Sequence, residues 1–383
     1  MSKLRNNRRV LKILQMLGAF LLGVVLSQIF GQTFCGLDTE VEIDEQNYLL
    51  VVLILTAPKN FDQRDVIRET WLNLRPRQIN GSDYSNDIIF IPRVLRNSFL
   101  ELEDVEQQKS HLQNYQKWLA TSKLPNIKVP NIKIKHLFAV GTLDLDNDVH
   151  NQIKSEQKVY NDLLLLSDLK DSYKNLTLKV IKSMQKLEET TPNFKYVLKS
   201  DDDSYVKLDY LSQDLIQYHK KLKELKRLKV TSKNLELYWG FFSGRAHIKR
   251  TGQWHEVNYN LCDRYLPYAL GGGYVMSKNL VKYISSVGDN LNRYGSEDIS
   301  VGSWLAPFNN IHRRHDARFD TAYLPRKCKN YHLVLHKRTV KDMREIHNGS
   351  PCSSEVDYDP IKRPVEYFYD WSQSPMKCCD NRI

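Results

Sequence analysis

The stretch Phe194-Lys195-Tyr196-Val197-Leu198-Lys199-Ser200-Asp201-Asp202-Asp203 decides how this chain is read. A largely apolar run of strand length stops in three adjacent carboxylates. Like charges side by side at the C-terminal end of a strand repel unless a hard cation takes up the charge. In open α/β sheets that end is also where ligands bind. Carboxylates do not hold a diphosphate directly, because both are negative. The pattern therefore predicts a divalent metal bridging the acids to a phosphate-bearing ligand. An acidic run after a strand also reads as a solvated turn. A phosphatase-type Asp-x-Asp-x-Thr/Val nucleophile loop is opposed by Tyr205 in its fifth position.

Working outward, Tyr48 to Leu55 is almost wholly apolar and predicts a central parallel strand, ended by Thr56-Ala57-Pro58. Phe61 to Leu74 has helical spacing. Strands follow at 132–140 and 162–166 with a helix at 151–160 between them. A helix at 176–189 precedes the acidic strand, a basic amphipathic helix is expected at 208–228, and another strand at 237–242. Strands alternating with helices predict an α/β fold with a mixed, mostly parallel sheet flanked by helices. Residues 75–131 are polar, with a charged helical stretch around Phe99 to Trp118. They read as a surface insertion in the single domain 48–383, or alternatively as a lid on the acceptor side.

The chain has 383 residues, 41% hydrophobic and 26% charged, an ordinary globular composition with ample length for a large core. Of the net charge of +11, five positive charges (Lys3, Arg5, Arg8, Arg9, Lys12) lie in the first twelve residues, leaving +6 elsewhere. That excess suits an anionic nucleotide or polyanionic acceptor. No basic stripe stands out, so no nucleic acid partner is expected.

Ile13 to Phe30 is an uncharged run of 18 residues, short for a membrane span but long for a cleaved signal peptide. Cations precede it, and Asp38, Glu40, Glu42, Asp44 and Glu45 follow. The positive-inside rule then makes 1–9 a cytosolic tail, 10–30 a transmembrane signal-anchor, 31–47 a stem and the remainder luminal. A short span favours the Golgi or endoplasmic reticulum over the cell surface. Six cysteines (Cys35, Cys262, Cys328, Cys352, Cys378, Cys379) lack zinc spacing and are expected to be mostly disulfides in an oxidising lumen. Either Cys35 pairs within the chain or one thiol is left over; an intermolecular bridge at Cys35 would make a homodimer. Asn80, Asn175 and Asn348 head glycosylation sequons, the last followed by Pro351.

Three further blocks carry chemistry. Arg64 and Arg68 stand at i and i+4 on a helix just after the first strand, a placement that suits a diphosphate. Leu266-Pro267-Tyr268-Ala269-Leu270-Gly271-Gly272-Gly273-Tyr274 sets three glycines among aromatics, which reads either as a flexible turn or as backbone closely approaching a ligand. Glu297-Asp298 precedes an apolar run, as a helix N-terminus or as a source of one general base.

The order of these blocks resembles the β-1,3-glycosyltransferase family of Golgi type II membrane proteins. The pattern is Arg-x-x-x-Arg-x-x-Trp (64–71), Lys-x-Asp-Asp-Asp (199–203), Tyr-Leu-Pro-Tyr-x-x-Gly-Gly-Gly-Tyr-Val-x-Ser (265–277) and Glu-Asp-Ile-x-x-Gly (297–302), within roughly 48–340. The blocks at 237–245, 261–263, 304–307, 315–321, 369–372 and 378–379 narrow the resemblance to members that build the proteoglycan linker. The long 75–131 segment departs from the pattern. The resemblance implies a GT-A fold, a Golgi membrane location, an inverting mechanism, Mn²⁺ as cofactor and UDP-galactose as donor. It implies galactosyl-xylosyl proteoglycan core protein as acceptor, with other linker transferases as partners. It assigns Asp203, Asp201 and His336 to the metal, Asp201 also to the ribose, and Asp298 to the acceptor proton. Arg64, Arg68, Asp202, Gly272 and Glu297 fall on the donor side, and Trp239 and Tyr268 are expected to stack on sugar or uracil.

Overall fold

The computed structural model describes residues 48–73, 133–227, 235–252, 254–323, 332–348, 368–371 and 373–380. All lie in one compact unit, Asp44–Ile383. The expected anchor and stem, the 75–131 segment, Asn80, Cys35, Cys328 and Cys352 lie outside the described residues. Among those described, no helix is long and apolar enough to cross a membrane.

A seven-stranded mixed sheet forms the centre, built from β1 (Tyr48–Leu55), β2 (Ile134–Gly141), β3 (Leu163–Leu166), β4 (Phe194–Asp201), β6 (Glu236–Ser243), β7 (Tyr268–Ser277) and β8 (Ile311–His315). Its order is β3-β2-β1-β4-β7-β6-β8. β3, β2, β1 and β4 run parallel; β7 runs against both β4 and β6, and β8 is parallel to β6.

The alternation of β1 explains why the sheet is covered on both sides. Leu50, Val52 and Ile54 enter one apolar cluster, while Val51, Leu53 and Leu55 enter the other. The first cluster takes Val66 and Ile67 of α1 (Phe61–Glu69), Val149 and Ile153 of α2 (Asn147–Tyr160), and Leu208, Leu211 and Leu215 of α4 (Leu208–Arg227). The second takes Val180, Met184 and Leu187 of α3 (Leu176–Thr190), Leu280 and Ile284 of α5 (Lys278–Val287), and Val301 and Leu305 of α6 (Glu297–Leu305). The result is a helix–sheet–helix sandwich.

The reversal of β7 positions the site. β1 and β4 end together, Leu55 opposite Asp201, whereas β7 brings its N-terminal half to the same edge, Gly273 opposite Ser200. The aspartates and the glycine run therefore share one rim. A second sheet, β5 (Tyr205–Val206), β10 (Val334–Leu335) and β9 (Phe319–Asp320), delivers the loop after β10 to that rim. Thr339 then opens α7 (Val340–His347) with a reciprocal cap to Asp342, which fixes where the loop ends.

Candidate active site

The site is organised around one buried lysine. Lys199 is fully buried, and its Nζ donates to Asp201 Oδ1 at 2.8 Å, to the Gly271 carbonyl at 2.6 Å and to Glu297 Oε1 at 2.5 Å. Burial opposes its charge, but Asp201 and Glu297 outweigh that and hold the ammonium well above its ordinary range. The same cation keeps Asp201 ionised well below the usual carboxylate range, against the burial that would raise it. Lys199 had no role in the sequence reading. The signal was available: a lysine inside a buried strand must meet anions.

Asp203 and His336 meet across the rim. His336 Nδ1 lies 3.1 Å from the Ala322 carbonyl, to which it donates, so Nε2 faces the acids. Nε2 is 3.0 Å from Asp203 Oδ1 and 3.5 Å from Asp201 Oδ2. Both Nε2 and Asp203 Oδ1 are buried, and they face each other as an ion pair, with no closer partner for either atom among the described residues. Burial would lower the imidazole, but the two carboxylates dominate and raise it to about 9. The imidazole proton joins Lys199 on Asp201 and Lys337, 2.7 Å from Asp203 Oδ2, in balancing these acids, and a divalent cation would take the proton's place. The ligand atoms of Asp201, Asp203 and His336 lie within 4.8 Å of one another. Two carboxylates and an imidazole whose other nitrogen is anchored to a carbonyl are a fitting donor set for a cation such as Mn²⁺.

Asp202 turns the other way. Its Oδ2 accepts from Asn60 Nδ2 at 2.8 Å, tying the acidic turn to the loop after β1. Burial and its two acidic neighbours raise its pKa.

Glu297 and Asp298 open α6 and divide in role. Glu297 is buried behind Gly271, held by Lys199 and by the Tyr274 hydroxyl at 3.1 Å. Burial first, then Asp298 and Asp201, push it up to about 7. Asp298 is partly exposed; one oxygen accepts from Gly271 N–H at 3.0 Å and the other from Ile299 N–H at 2.8 Å. Burial raises its pKa too. Gly271 links the halves of the site, its carbonyl on Lys199 and its N–H on Asp298.

The glycine run serves the protein's own side chains. A Cβ on Gly271 would meet Glu297 Oε1 at 3.1 Å, and one on Gly273 would meet Val334 Cγ1 at 3.0 Å. Gly272 lies directly beneath His336. The expected approach of glycine backbone to a ligand becomes, at these positions, an approach of Glu297, His336 and Val334 to the strand.

Arg64 and Arg68 are placed differently from the expectation. Arg64 is fully buried, its Nε and one terminal nitrogen gripping Glu156 at 2.8 and 2.7 Å. The other terminal nitrogen donates to the Ala57 carbonyl at 2.8 Å. Arg68 binds Asp162, Glu156 and Asp65. These guanidinium groups face carboxylates rather than the rim, because a buried Arg must be paired. Arg64 does shape the site, since it fixes the turn that leads to Asn60. Glu156 and Asp162, about ninety positions later, gave no sign in the sequence. Trp239 is likewise core: wholly buried, bonded through Nε1 to Asp316 at 3.0 Å, with Arg314 4.4 Å over its ring. Tyr268 packs with Tyr259, Tyr265, Tyr294 and Ile299 beneath α6. Neither ring is free to stack on a ligand.

Of the sequons, Asn348 is exposed at the end of α7. The Asn175 amide donates to the Lys170 carbonyl at 2.9 Å, and the Thr177 hydroxyl is buried against the Tyr294 carbonyl at 3.1 Å. Cys262 is exposed and unpaired.

An α/β sheet with acids and an imidazole converging at a strand end is the layout of an enzyme that handles phosphorylated ligands. Residues 115–316 match the galactosyltransferase family profile, and the chain belongs to that family. It is 43% identical over 250 residues to beta-1,3-galactosyltransferase 6 of Mus musculus, spanning 64% of this chain and 71% of that one. It is 33% identical over 157 residues to UDP-GalNAc:beta-1,3-N-acetylgalactosaminyltransferase 2 of Homo sapiens, 40% of this chain and 28% of the relative. Similarity to hydroxyproline O-galactosyltransferase GALT5 of Arabidopsis thaliana is 28% over 200 residues, 51% of this chain and 27% of that one. A nucleoside-diphosphate-sugar pyrophosphorylase from Vibrio cholerae covers 78% of this chain and 99% of its own at 10% identity; its TM-score of 0.28 is too low to carry an argument.

Proposed function

We propose that the protein is an inverting, metal-dependent β-1,3-galactosyltransferase that moves galactose from UDP-galactose to the 3-hydroxyl of the terminal galactose of galactosyl-xylosyl-serine. Family membership and the 43% identity to a β-1,3-galactosyltransferase support the reaction class. The observation that carries the chemistry is the buried pair Asp203 Oδ1 and His336 Nε2, 3.0 Å apart, with Asp201 alongside and Asp298 held by the N–H of Gly271 in the adjoining strand.

Asp201, Asp203 and His336 would hold Mn²⁺. When bound, that ion supplies positive charge for a nucleotide diphosphate and its departure. Every other part falls to the chain. Asp298 takes the acceptor proton as the 3-hydroxyl attacks the anomeric carbon from the face opposite UDP. Inversion needs no enzyme nucleophile, so one positioned carboxylate is enough. Its pKa, raised by burial, favours that work, and the N–H groups of Gly271 and Ile299 aim it. Glu297, also raised by burial, is committed to Lys199 and Tyr274 and holds the frame instead. Lys199 keeps Asp201 anionic, and Asn60 orients the turn through Asp202.

A Golgi location as a single-pass type II protein, with the catalytic body luminal and Asn348 the most accessible described sequon, is part of this proposal. Its support is the charge distribution around residues 10–30. The test is incubation with Mn²⁺, UDP-galactose and a galactosyl-β-1,4-xyloside, followed by linkage analysis. A β-1,3-digalactosyl product is expected. Transfer of N-acetylgalactosamine in preference to galactose would move the chain toward its 33%-identical relative.

A further inference from the structure

Three large aromatic rings stand exposed beside this site, from three separate segments. Tyr173 precedes α3, Trp254 lies between β6 and β7, and Tyr323 follows β9; they are 51%, 36% and 62% exposed. They are not scattered. The Trp254 and Tyr323 ring centroids are 5.3 Å apart, tilted by 63°. Trp254 also stands close enough to Tyr173 to act on its hydroxyl, opposing the burial that raises that group. Single exposed hydrophobic residues need no explanation, but converging rings beside a reaction centre point to an interaction.

Their position is bounded from two sides. Tyr323 directly follows Ala322, whose carbonyl holds His336 Nδ1. The Tyr173 hydroxyl lies in the field of Asp298, Asp201 and Glu297. Tyr323 is thus joined through the chain to the residue that anchors His336, and Tyr173 is within electrostatic reach of the acids of the rim, Asp298 among them.

The geometry points to Tyr173, Trp254 and Tyr323 as an acceptor platform that takes the apolar C–H face of a hexopyranose ring, rests on the transferase reading above, and presents the sugar's hydroxyl edge to Asp298. Aromatic rings with polar tips suit such a ligand, since the ring covers the C–H face while the hydroxyl or indole N–H serves its rim. Uracil is the competing flat ligand. The nearness of Tyr173 to Asp298 favours the sugar, because the base must touch the acceptor and not the nucleotide.

The test compares the full chain with Trp254→Ala, Tyr323→Ala and the double variant, all at exposed positions. The acceptor KM is expected to rise about tenfold in each single variant and further in the double, with the UDP-galactose KM and the affinity for UDP unchanged. A double variant whose acceptor KM stays within about twofold of wild type overturns the platform, as does an equal loss of UDP affinity, which would assign the rings to uracil. Saturation-transfer NMR with methyl β-galactopyranoside reads the platform without turnover. Saturation passing from aromatic protons in the wild type and lost in the double variant supports it; saturation retained in the double variant overturns it. If the glycoside binds in this way but no galactose is transferred to any acceptor, the reaction assignment fails and the platform stands.

Discussion

A β-carbon on Gly272 would lie 2.5 Å from Cγ of His336 and 2.7 Å from its Nδ1, so this glycine is the seat of the imidazole. Gly272→Ala must push the ring away from both Asp203 and the Ala322 carbonyl. Loss of an orienting contact at a metal ligand typically costs about 10- to 100-fold in affinity. That loss is expected for Mn²⁺ by isothermal titration, with the thermal midpoint little changed. Unaltered Mn²⁺ affinity would show that His336 is not a ligand.

Asp298→Asn keeps the shape of the side chain but removes the base, and its single amide oxygen can accept from only one of the Gly271 and Ile299 N–H groups. kcat is expected to fall by roughly a hundredfold or more while UDP affinity holds. Near-normal turnover would reject the assignment and direct attention to another carboxylate.

Arg64 is braced against Glu156 with no exposure, so its removal leaves Oε2 of that buried carboxylate without its partner while Arg68 still holds Oε1. Arg64→Met is expected to cost about 3–5 kcal/mol in chemical denaturation, with the donor KM of the folded fraction close to wild type. A tenfold or larger rise in donor KM at undiminished stability would return the guanidinium to a phosphate-binding role.

His315 is buried neutral. Its Nδ1 accepts from Phe242 N–H at 2.9 Å, and burial, opposed by Asp316, lowers its pKa from 6.5 to about 4. Between those values the unfolded chain binds the proton and the folded chain does not, so stability rises with pH in that window. Stability is therefore complete above about pH 6.5 and is lost as pH falls toward 4. Unfolding free energies measured from pH 4.5 to 6.5 should have a smaller slope in His315→Gln, by up to about one proton. Identical slopes would mean that His315 titrates freely.

The sequence disclosed what depends on local pattern. β1 and β4 announced themselves because both faces of a central strand are buried, which makes a continuous apolar run. The aspartates did so because charge at the end of such a run demands a counter-ion. The partners of Arg64 and Arg68 were illegible, because Glu156 and Asp162 sit on other elements and only the tertiary fold brings them in. The glycines were visible, but their purpose was not: nothing local tells that the space above Gly272 belongs to His336. Trp239 carried the same ambiguity, since an aromatic in a strand reads alike whether it faces a ligand or, as here, Arg314 and Asp316 in the core. The two-residue strands β5, β9 and β10, which carry His336 to Asp203, are too short to leave a periodic trace.

The central claim is that Asp201, Asp203 and His336 hold the cation that lets a nucleotide diphosphate bind among carboxylates. Calorimetric titration of UDP into the protein with and without Mn²⁺ tests it most directly, with Asp203→Ala alongside. UDP should bind only when Mn²⁺ is present, and Asp203→Ala should abolish that binding. Equal UDP affinity in chelator and in Mn²⁺, unaffected by Asp203→Ala, would contradict the account.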